Sequence, residues 1–470
     1  MIDLSHLRGH KVAVLGLGKS GTAAIRALKA AGVDVAAWDD KVAGRSFAER
    51  EGVPIRDFGA EGMDGVDLVM LSPGIPRTHP HPHPAVARAL EAGCRLVGDI
   101  DLLAEALPDT GFLGVTGTNG KSTTTALLQH IFQAAGIDSE AGGNLGPAAL
   151  GLRSIGPGGW YVLEVSSYQL ETITEVPWSI GVFINITPDH LDRYPDMAGY
   201  VAAKQRLVDG IRAGGTAVIG IDDAYSRAVF DATAARPEVR AIPVSVENAV
   251  EHGVFVRDLV LYDAIDGAPR AVLDLREAPA LPGAHNGQNA ACAWAAASAA
   301  GVPEEILAQA IRTFPGLAHR QQLVGTIAGI RFVNDSKGTN PDAAAKALSS
   351  YDTIYWIAGG RPKEGGLEAV DPYLAHVRQA FLIGEGAPKF AAHLEGRVPH
   401  QRCTDLDAAI EAAYRAARDD MKGADGATGA VVLLSPACAS FDQFANFEAR
   451  GEAFAASVKG LQVRVERGDL

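Results

Sequence analysis

The chain has 470 residues, of which 42 are Lys or Arg and 56 are Asp or Glu, giving a formal net charge of −14. That acidic balance argues against nucleic acids or anionic membranes as partners, because both are negatively charged. The four cysteines lie far apart without C-x-x-C spacing, so the sequence indicates neither a disulfide framework nor a zinc site. We expect a cytoplasmic monomer of roughly two to four domains. Its first residues contain no uninterrupted apolar signal segment, and no run approaches the ~18 apolar residues of a membrane span.

The first block of the sequence runs to residue 104 and contains a glycine-rich turn. The strand-like segment KVAVLGLG ends with Gly16 and Gly18, which form a G-x-G-x-x-G pattern with Gly21. Asp39 lies at the end of the next strand-like segment. By itself this pattern indicates a dinucleotide site only weakly. A block of about a hundred residues suits one βαβαβ half that binds a single nucleotide diphosphate. The segment THPHPHP is interpreted as a stiff loop rather than a histidine metal site.

The second block follows LPDTG and carries another glycine-rich loop, within GVTGTNGKSTTTALL (Gly114–Leu128). The usual phosphate-loop pattern, G-x-x-x-x-G-K-[ST], is not met, because Val115 stands five residues before Gly120. A strand-like segment nevertheless precedes the loop and a helix-like one follows it, which is the context that phosphate binding by backbone N–H groups requires. In that context Lys121 can reach terminal phosphates and the Ser122 hydroxyl can bind Mg²⁺.

Short apolar runs that end in Gly or Ser alternate with helix-like patterns throughout, which predicts an α/β fold with mainly parallel sheets. A break at TFPGLAHR precedes a third block with strand-like segments such as IYWIAGG and AVVLLSPA. We expect a Rossmann-like N-terminal domain over residues 1–104, a central P-loop ATPase-like domain over 105–314, and a C-terminal Rossmann-like α/β domain over 315–470. Two separate glycine loops suggest two nucleotides, one that donates its γ-phosphate and one that serves as a handle on a substrate.

Eight segments follow one another in a specific order: GTNGKST, LEVSSYQLE, NITPDHLDRY, the lysine of YVAAKQRL, AHNGQN, GLAHR, NDSKGTNPDA and SPACASFDQF. In this order they resemble the Mur ligases, ATP-dependent amide-forming enzymes of peptidoglycan synthesis, over essentially the whole chain. The last two segments, with GLGKSG and LSPGIP in the first block, are most similar to the branch that joins D-glutamate to UDP-N-acetylmuramoyl-L-alanine. The compact loop is then the family's own variant of the phosphate loop.

The resemblance implies a site that uses ATP and two Mg²⁺ ions. Bringing phosphate and carboxylate charges together requires cations, which Lys121 and the metal ions would supply. The implied catalytic residues are Lys121, Glu164, His190 and Lys204. The implied Mg²⁺ ligands are Ser122, Glu164, His190 and Lys204, the last as a carbamate. Addition of CO₂ to the neutral amine of such a lysine turns it into an anionic oxygen ligand.

The remaining implied site residues bind ATP, the UDP-sugar or D-glutamate. For ATP they are Gly117, Thr118, Asn119, Gly120, Lys121, Ser122, Thr123, Asn286, Asn289, Arg320 and Asp335, with the adenine contact left open between the two asparagines. For the UDP-sugar they are Gly16, Gly18, Gly21, Asp39, Ser72, Pro73, Gly74, Asn144 and His190. For D-glutamate they are Lys337, Thr339, Lys363, Ser440 and Phe447. The alignment at Lys363 stays open by one residue, because GGRPKEGG departs from the usual family pattern GG-x-x-KG.

The alternative functions explain fewer of the sequence motifs than a ligase that adds D-glutamate. Sister Mur ligases that add L-alanine, a diamino acid or a dipeptide are alternatives, as is a folylpolyglutamate synthase, although the third block lacks the D-N-P-R signature of the diamino-acid ligases. An NAD-dependent oxidoreductase would use only the first glycine loop. A nucleotide-controlled switch would use only the second. The expected reaction is therefore formation of an amide through an acyl phosphate.

Overall fold

The computed structural model describes residues 2–189, 193–362, 366–423 and 429–469. The chain forms two compact units. Unit 1 consists of Met1–Ala278 with Ala284–Phe314, and unit 2 consists of Pro279–Gly283 with Pro315–Leu470. Within the described ranges, no helix combines the length and the apolar character that spanning a membrane requires.

Strands and helices alternate along most of both units. The strands are β1 (Lys11–Leu15), β2 (Asp34–Trp38), β3 (Leu68–Leu71), β4 (Arg95–Val97), β5 (Gly111–Thr116), β6 (Ser139–Gly143), β7 (Trp160–Glu164), β8 (Trp178–Phe183), β9 (Ile211–Gly220), β10 (Arg240–Ser245), β11 (Val254–Arg257), β12 (Val260–Asp263), β13 (Arg270–Asp274), β14 (Gln322–Ile327), β15 (Ile330–Asn334), β16 (Ile354–Gly359), β17 (Val377–Ile383), β18 (His400–Arg402) and β19 (Val431–Leu434). The α-helices are α1 (Lys19–Ala30), α2 (Val42–Arg50), α3 (Phe58–Glu61), α4 (Pro84–Glu91), α5 (Asp99–Ala106), α6 (Lys121–Ala134), α7 (Ser167–Thr172), α8 (Met197–Asp209), α9 (Ala224–Ala234), α10 (Ala284–Ala299), α11 (Glu304–Thr313), α12 (Pro341–Leu348), α13 (Ala387–Leu394), α14 (Leu406–Gly423) and α15 (Phe447–Arg467). Short 3₁₀ helices span Ser5–Leu7, Ala149–Gly151, Leu275–Glu277 and Glu368–His376.

A four-stranded parallel sheet forms the N-terminal part of unit 1, in the order β2-β1-β3-β4. All four residues of β3 are buried, as expected for a strand covered on both faces. Gly16 directly follows β1 with a φ of 83°, a left-handed conformation that favours glycine. Because α1 then begins at Lys19, the first glycine loop lies at the carboxyl end of this sheet.

A nine-stranded sheet forms the rest of unit 1, in the order β13-β12-β11-β10-β9-β8-β5-β7-β6. Neighbouring strands are parallel from β6 to β11, whereas β12 pairs antiparallel with β11 and with β13. β5 lies between β7 and β8, and every residue of β8 is buried. The second glycine loop follows β5, and α6 begins directly after it at Lys121.

Unit 2 contains a six-stranded sheet in the order β14-β15-β19-β16-β17-β18. β14 is an antiparallel edge strand and the other pairs are parallel. Trp356 on β16 is buried and packs edge-to-face against Phe390 of α13, with ring centroids 5.8 Å apart. Because β15 and β19 are neighbours, the loops that follow them start at the same edge of the sheet. The three sheets confirm the predicted α/β class, while the three domain boundaries stay predictions.

Gly21 packs so closely against the first glycine loop that a side chain has no room. A Cβ at Gly21 would lie 1.9 Å from the Gly16 carbonyl oxygen, whereas a Cβ at Gly18 would meet nothing within 4 Å. We expect Gly21→Ala to lower the free energy of unfolding by about 2–3 kcal/mol through overpacking. Gly18→Ala, the matched control, should change it by less than about 1 kcal/mol. Urea denaturation measures both values, and equal stabilities would contradict the close approach.

Candidate active site

The first glycine loop, between β1 and α1, is held by side chains from two neighbouring turns. The Ser72 hydroxyl donates to the Gly16 carbonyl oxygen at 2.6 Å. The Asp39 carboxylate accepts from the Leu17 N–H at 2.5 Å through one oxygen and from the Lys41 N–H at 2.7 Å through the other. Asp39 therefore connects the first glycine loop to the turn after β2, and its contact with uracil or ribose stays a prediction.

This loop borders a cavity of about 950 Å³ in unit 1. Its wall also includes Lys121 and Lys204 from the surroundings of the second glycine loop. The predicted UDP-sugar residues in the wall are Gly16, Gly18, Asp39, Ser72, Pro73, Gly74 and Asn144. One cavity thus brings together residues that the sequence assigned to two different nucleotides.

Lys19 lines the same cavity, although it was not among the predicted site residues. It is the first residue of α1, and its Nζ donates to the Gly143 carbonyl oxygen at 3.4 Å. Burial lowers the pKa of Lys19, while the negative charges of Glu164 and Asp99 oppose that shift. A lysine at the positive end of a helix dipole is unfavourable unless an anion binds beside it. The lysine in GLGKSG was therefore a sequence signal of an anion site.

The second glycine loop, between β5 and α6, depends on backbone conformations that favour glycine. Gly117 has a φ of 148° and Gly120 a φ of 87°. A Cβ at Gly120 would lie 2.1 Å from Oδ1 of Asn289. The Lys121 ammonium donates to the carbonyl oxygens of Gly117 and Thr118, both at 2.8 Å. This geometry, with a helix N-terminus directly after the loop, suits a phosphate group.

Lys204 brings a second amine to the same loop. It lies on α8, is 2% exposed, and donates from Nζ to the Gly117 carbonyl oxygen at 2.9 Å. Its Nζ also lies 4.9 Å from the ring centroid of Tyr200. Burial holds the pKa of Lys204 well below its usual value, and the positive charge of Lys121 lowers it further. The negative charges of Asp189 and Glu164 oppose this shift. The environment thus makes loss of the proton easier than at an exposed helix lysine.

Glu164 ends β7 next to this cluster and is 2% exposed. Its Oε1 accepts from Nδ2 of Asn144 at 2.5 Å. Its Oε2 is buried and has no hydrogen-bond partner among the described residues. A buried carboxylate oxygen without a donor is costly unless a cation approaches it, which fits the predicted Mg²⁺ ligand.

The two predicted adenine-side residues, Asn286 and Asn289, are buried on α10. Nδ2 of Asn289 donates to Oδ1 of Asn286 at 3.0 Å, and the Thr124 hydroxyl donates to Oδ1 of Asn289 at 3.3 Å. Asn289 thus connects α10 to α6. Which of the two asparagines would contact adenine stays open.

Asn185 holds the second glycine loop and was missed by the sequence reasoning. Its backbone carbonyl oxygen accepts from the Thr118 N–H at 2.8 Å, and its Oδ1 accepts from the Asn119 N–H at 3.0 Å. Its Nδ2 donates to Oε1 of Gln288 on α10 at 2.8 Å. The available signal was a polar residue just after the buried strand β8, separated from it by Ile184, at the start of the NITPDH segment.

In unit 2, Asp335 follows β15 and is buried. Its Oδ2 accepts from the Ser435 hydroxyl at 2.7 Å, and its Oδ1 accepts from the Gln321 N–H at 3.2 Å. Burial raises the pKa of Asp335 to about 7, an effect that the hydrogen bonds and the charge of Arg320 partly oppose. The carboxylate therefore orders the ends of β15 and β19, and the ATP contacts of Arg320 and Asp335 stay predictions.

The predicted D-glutamate residues that the structure describes gather at the same edge of this sheet. Lys337 Nζ lies 5.4 Å from the ring centroid of Phe447. The Thr339 N–H donates to the Lys337 carbonyl oxygen at 2.8 Å. Ser440, in the segment after β19, is 2% exposed. Two predicted site residues, His190 and Lys363, lie outside the described residues.

Three family models match the chain in sequence order. The Mur ligase MurD-like N-terminal domain matches residues 10–98, the Mur ligase middle domain matches residues 115–297, and the Mur ligase glutamate ligase domain matches residues 319–438. Together with the two glycine loops and their cavity, these matches show that the chain belongs to the Mur ligase family. The resemblance inferred from the eight segments is confirmed.

Full-length relatives narrow the comparison to one branch of the family. The chain is 49% identical over 454 residues to the UDP-N-acetylmuramoylalanine--D-glutamate ligase of Paramagnetospirillum magneticum, covering 97% of each chain. It is 48% identical over 469 residues to the enzyme of the same name from Phenylobacterium zucineum, covering 98% of each chain.

Solved structures support the fold alone. The UDP-N-acetylmuramate-alanine ligase of Thermotoga maritima has a TM-score of 0.56 at 15% identity, over 96% of this chain and 99% of that one. A pseudomurein peptide ligase type C from Methanothermus fervidus has a TM-score of 0.54 at 16% identity, over 96% of this chain and 100% of that one. Both alignments extend over all three sheets of the chain.

Proposed function

We propose that the chain is an ATP-dependent ligase that joins D-glutamate to UDP-N-acetylmuramoyl-L-alanine during synthesis of the peptidoglycan precursor. The observation that carries this proposal is a cavity of unit 1 whose wall contains the first glycine loop together with Lys121 and Lys204. An oxidoreductase or a nucleotide switch would use only one of the two glycine loops. Relatives named for this reaction cover nearly the whole chain, which supports the same choice.

The reaction has two steps. A carboxylate oxygen of the L-alanyl group attacks the γ-phosphorus of ATP, the bond to the bridging oxygen breaks, and ADP leaves. The D-glutamate nitrogen then attacks the carbonyl carbon of the acyl phosphate, loses a proton, and displaces inorganic phosphate. Both steps bring negatively charged groups together, so they require cationic groups in a site with little water.

We assign the ATP phosphates to the second glycine loop and the first turn of α6. Lys121 would turn its ammonium from the Gly117 and Thr118 carbonyl oxygens towards the terminal phosphates. Asn185 would hold the loop open for them, since it already binds the N–H groups of Thr118 and Asn119. The loop would thus meet the phosphates in a shape fixed by the protein.

Mg²⁺ would supply the remaining positive charge between the phosphates and the substrate carboxylate. The donor set of the described residues fits such an ion, because Glu164 offers a buried oxygen without a donor and Ser122 lies in the first turn of α6. His190 completes the proposed metal ligands together with a carbamate on Lys204.

Carbamylation of Lys204 is the finer part of this proposal. Its amine is 2% exposed and donates to the same carbonyl oxygen as the Lys121 ammonium, so a second positive charge there is unfavourable. A carbamate forms only on the neutral amine, which this environment favours. It would replace a repelling cation by an anionic oxygen ligand.

D-glutamate is assigned to unit 2, to Lys337, Thr339, Ser440 and Phe447, with Lys363 as a further candidate. The cluster offers a cation and buried polar groups at the carboxyl end of a parallel sheet, where ligands of such sheets generally bind. A reaction that consumes ATP and a UDP-linked precursor is expected in the cytoplasm.

The activity is tested by phosphate release from ATP in the presence of Mg²⁺ and UDP-N-acetylmuramoyl-L-alanine. We expect release with D-glutamate that is at least about a hundredfold faster than with L-glutamate, L-alanine, L-lysine or meso-diaminopimelate. Omission of the UDP-linked substrate is the control for ATP hydrolysis alone. Release with another amino acid, but not with D-glutamate, would refute the assignment.

Lys121→Ala should lower kcat by at least about a thousandfold, because it removes a charge aimed at the transferred phosphate. Affinity for UMP, measured by titration calorimetry, should change less than about threefold, because the uridine nucleotide is assigned to the other glycine loop. Lys459→Ala, at an exposed lysine of α15, is the control. Equal losses of UMP affinity and turnover would contradict separate sites.

Lys204→Ala and Lys204→Arg should both lose Mg²⁺-dependent turnover. The alanine variant should keep the wild-type unfolding temperature within about 3 °C, because it leaves no buried charge. Arginine restores the positive charge but cannot form a carbamate. Removal of CO₂ should lower wild-type activity, and bicarbonate should restore it. Carbon-13 NMR with labelled bicarbonate should give a carbamate signal in the wild type that both variants lack. Full activity of the arginine variant would refute carbamylation.

A further inference from the structure

Arg450 is a buried cation of unit 2 that neither the predicted site nor the proposed mechanism uses. It lies in the first turns of α15 and is 1% exposed. Its Nε donates to the Ser336 hydroxyl at 2.9 Å, and its Nη2 donates to the Ser336 carbonyl oxygen at 2.8 Å. Nη1 and Nη2 each donate to the Cys438 carbonyl oxygen at 3.2 Å. One guanidinium therefore holds the segments that follow β15 and β19.

The same group also fixes the start of its own helix. The Ser336 hydroxyl, which accepts from Arg450, donates to the Phe447 carbonyl oxygen at 2.8 Å. A Cβ at Gly360, directly beyond β16, would lie 3.2 Å from Nη1 of Arg450. Arg450 thus lies where β15, β16, β19 and α15 converge. Its partner Ser336 directly precedes the assigned residue Lys337, and the assigned residue Phe447 lies one turn before Arg450 on α15.

All acceptors of Arg450 are uncharged. Among the described residues of unit 2 no carboxylate forms an ion pair with its guanidinium, and the charge contributions of Asp335 and Asp442 come from beyond hydrogen-bond distance. Burial lowers the pKa of Arg450 to about 10, so it stays protonated at neutral pH. A buried cation without an anionic hydrogen-bond partner is costly, and an apolar side chain of similar volume would avoid that cost.

We propose that Arg450 is a positioning residue of the amino-acid site. Its planar fork sets the segments after β15 and β19 in the arrangement that binds the amino acid, and its charge favours a substrate with two carboxylates. This inference rests on the proposed function, which assigns D-glutamate to those segments. Arg450 touches no reacting atom in this role, because every one of its hydrogen bonds goes to the protein.

The test compares Arg450→Lys with Arg464→Lys, the same change at an arginine of α15 whose side chain is 47% exposed. Lysine keeps the charge but lacks the planar fork of arginine, so it cannot make the four hydrogen bonds that hold the two segments. We expect the KM for D-glutamate to rise at least about tenfold in Arg450→Lys, with the KM values for ATP and UDP-N-acetylmuramoyl-L-alanine within about twofold of wild type. Arg464→Lys should leave all three unchanged.

Ser336→Ala provides a second measurement that does not depend on the folding of the arginine variant. It removes one acceptor of Nε and the bond to Phe447, so we expect the KM for D-glutamate to rise about threefold or more, again without a shift for either nucleotide substrate. Thermal unfolding of each variant shows whether the protein is folded.

An unchanged KM for D-glutamate in folded Arg450→Lys, or in Ser336→Ala, would overturn the role. Equal rises in all three KM values would also overturn it, because they indicate a general structural defect. If the wild-type enzyme uses another amino acid, the proposed function fails instead. The same KM comparison with that amino acid then tests Arg450.

Discussion

The positive charge at the second glycine loop is the constraint on which the site of unit 1 depends. The Gly117 carbonyl oxygen accepts from the amines of both Lys121 and Lys204. Two ammonium groups at one oxygen repel each other, and burial of Lys204 adds a desolvation cost. The pair can be relieved in two ways, by loss of the charge on Lys204 or by an anion that gives Lys121 another partner. The proposed phosphate site and the lowered pKa of Lys204 therefore rest on the same electrostatic arrangement.

The second glycine loop holds both amines close together because β5, α6, Asn185 and α10 fix its backbone. β5 and α6 hold its two ends, and Asn185 binds two of its N–H groups. The absent side chain at Gly120 lets Asn289 approach, so α10 packs directly on the loop. A helix assigned to the adenine side and a loop assigned to the phosphates thus share one boundary, which would align the nucleotide along it.

In unit 2 the buried charged side chains Asp335 and Arg450 form hydrogen bonds to uncharged groups of the protein. Asp335, directly after β15, accepts from Ser435 after β19 and from Gln321 before β14. Arg450 donates to Ser336 after β15 and to Cys438 after β19. Neither side chain is a hydrogen-bond partner of the other. The hydrogen bonds of each go to neutral partners, so both charges serve to hold backbone and hydroxyl groups at one sheet edge. Such an edge can present Lys337 and Ser440 in fixed positions, since their neighbours in sequence are already immobilised.

The sequence by itself determined the α/β class, the two glycine loops and Lys121, because these follow from local rules: alternation of strands and helices, glycine where φ is positive, and lysine at a helix start. Lys19 was also within reach of such rules. The roles of Asn185 and Arg450 were decided only by the tertiary structure, since their partners lie 66 residues away for Asn119 and 114 residues away for Ser336. Burial has the same origin. The sequence of α8 is typical of a helix with a solvated lysine at position 204, and only the packing of α8 in the tertiary structure removes Lys204 from water and lowers its pKa.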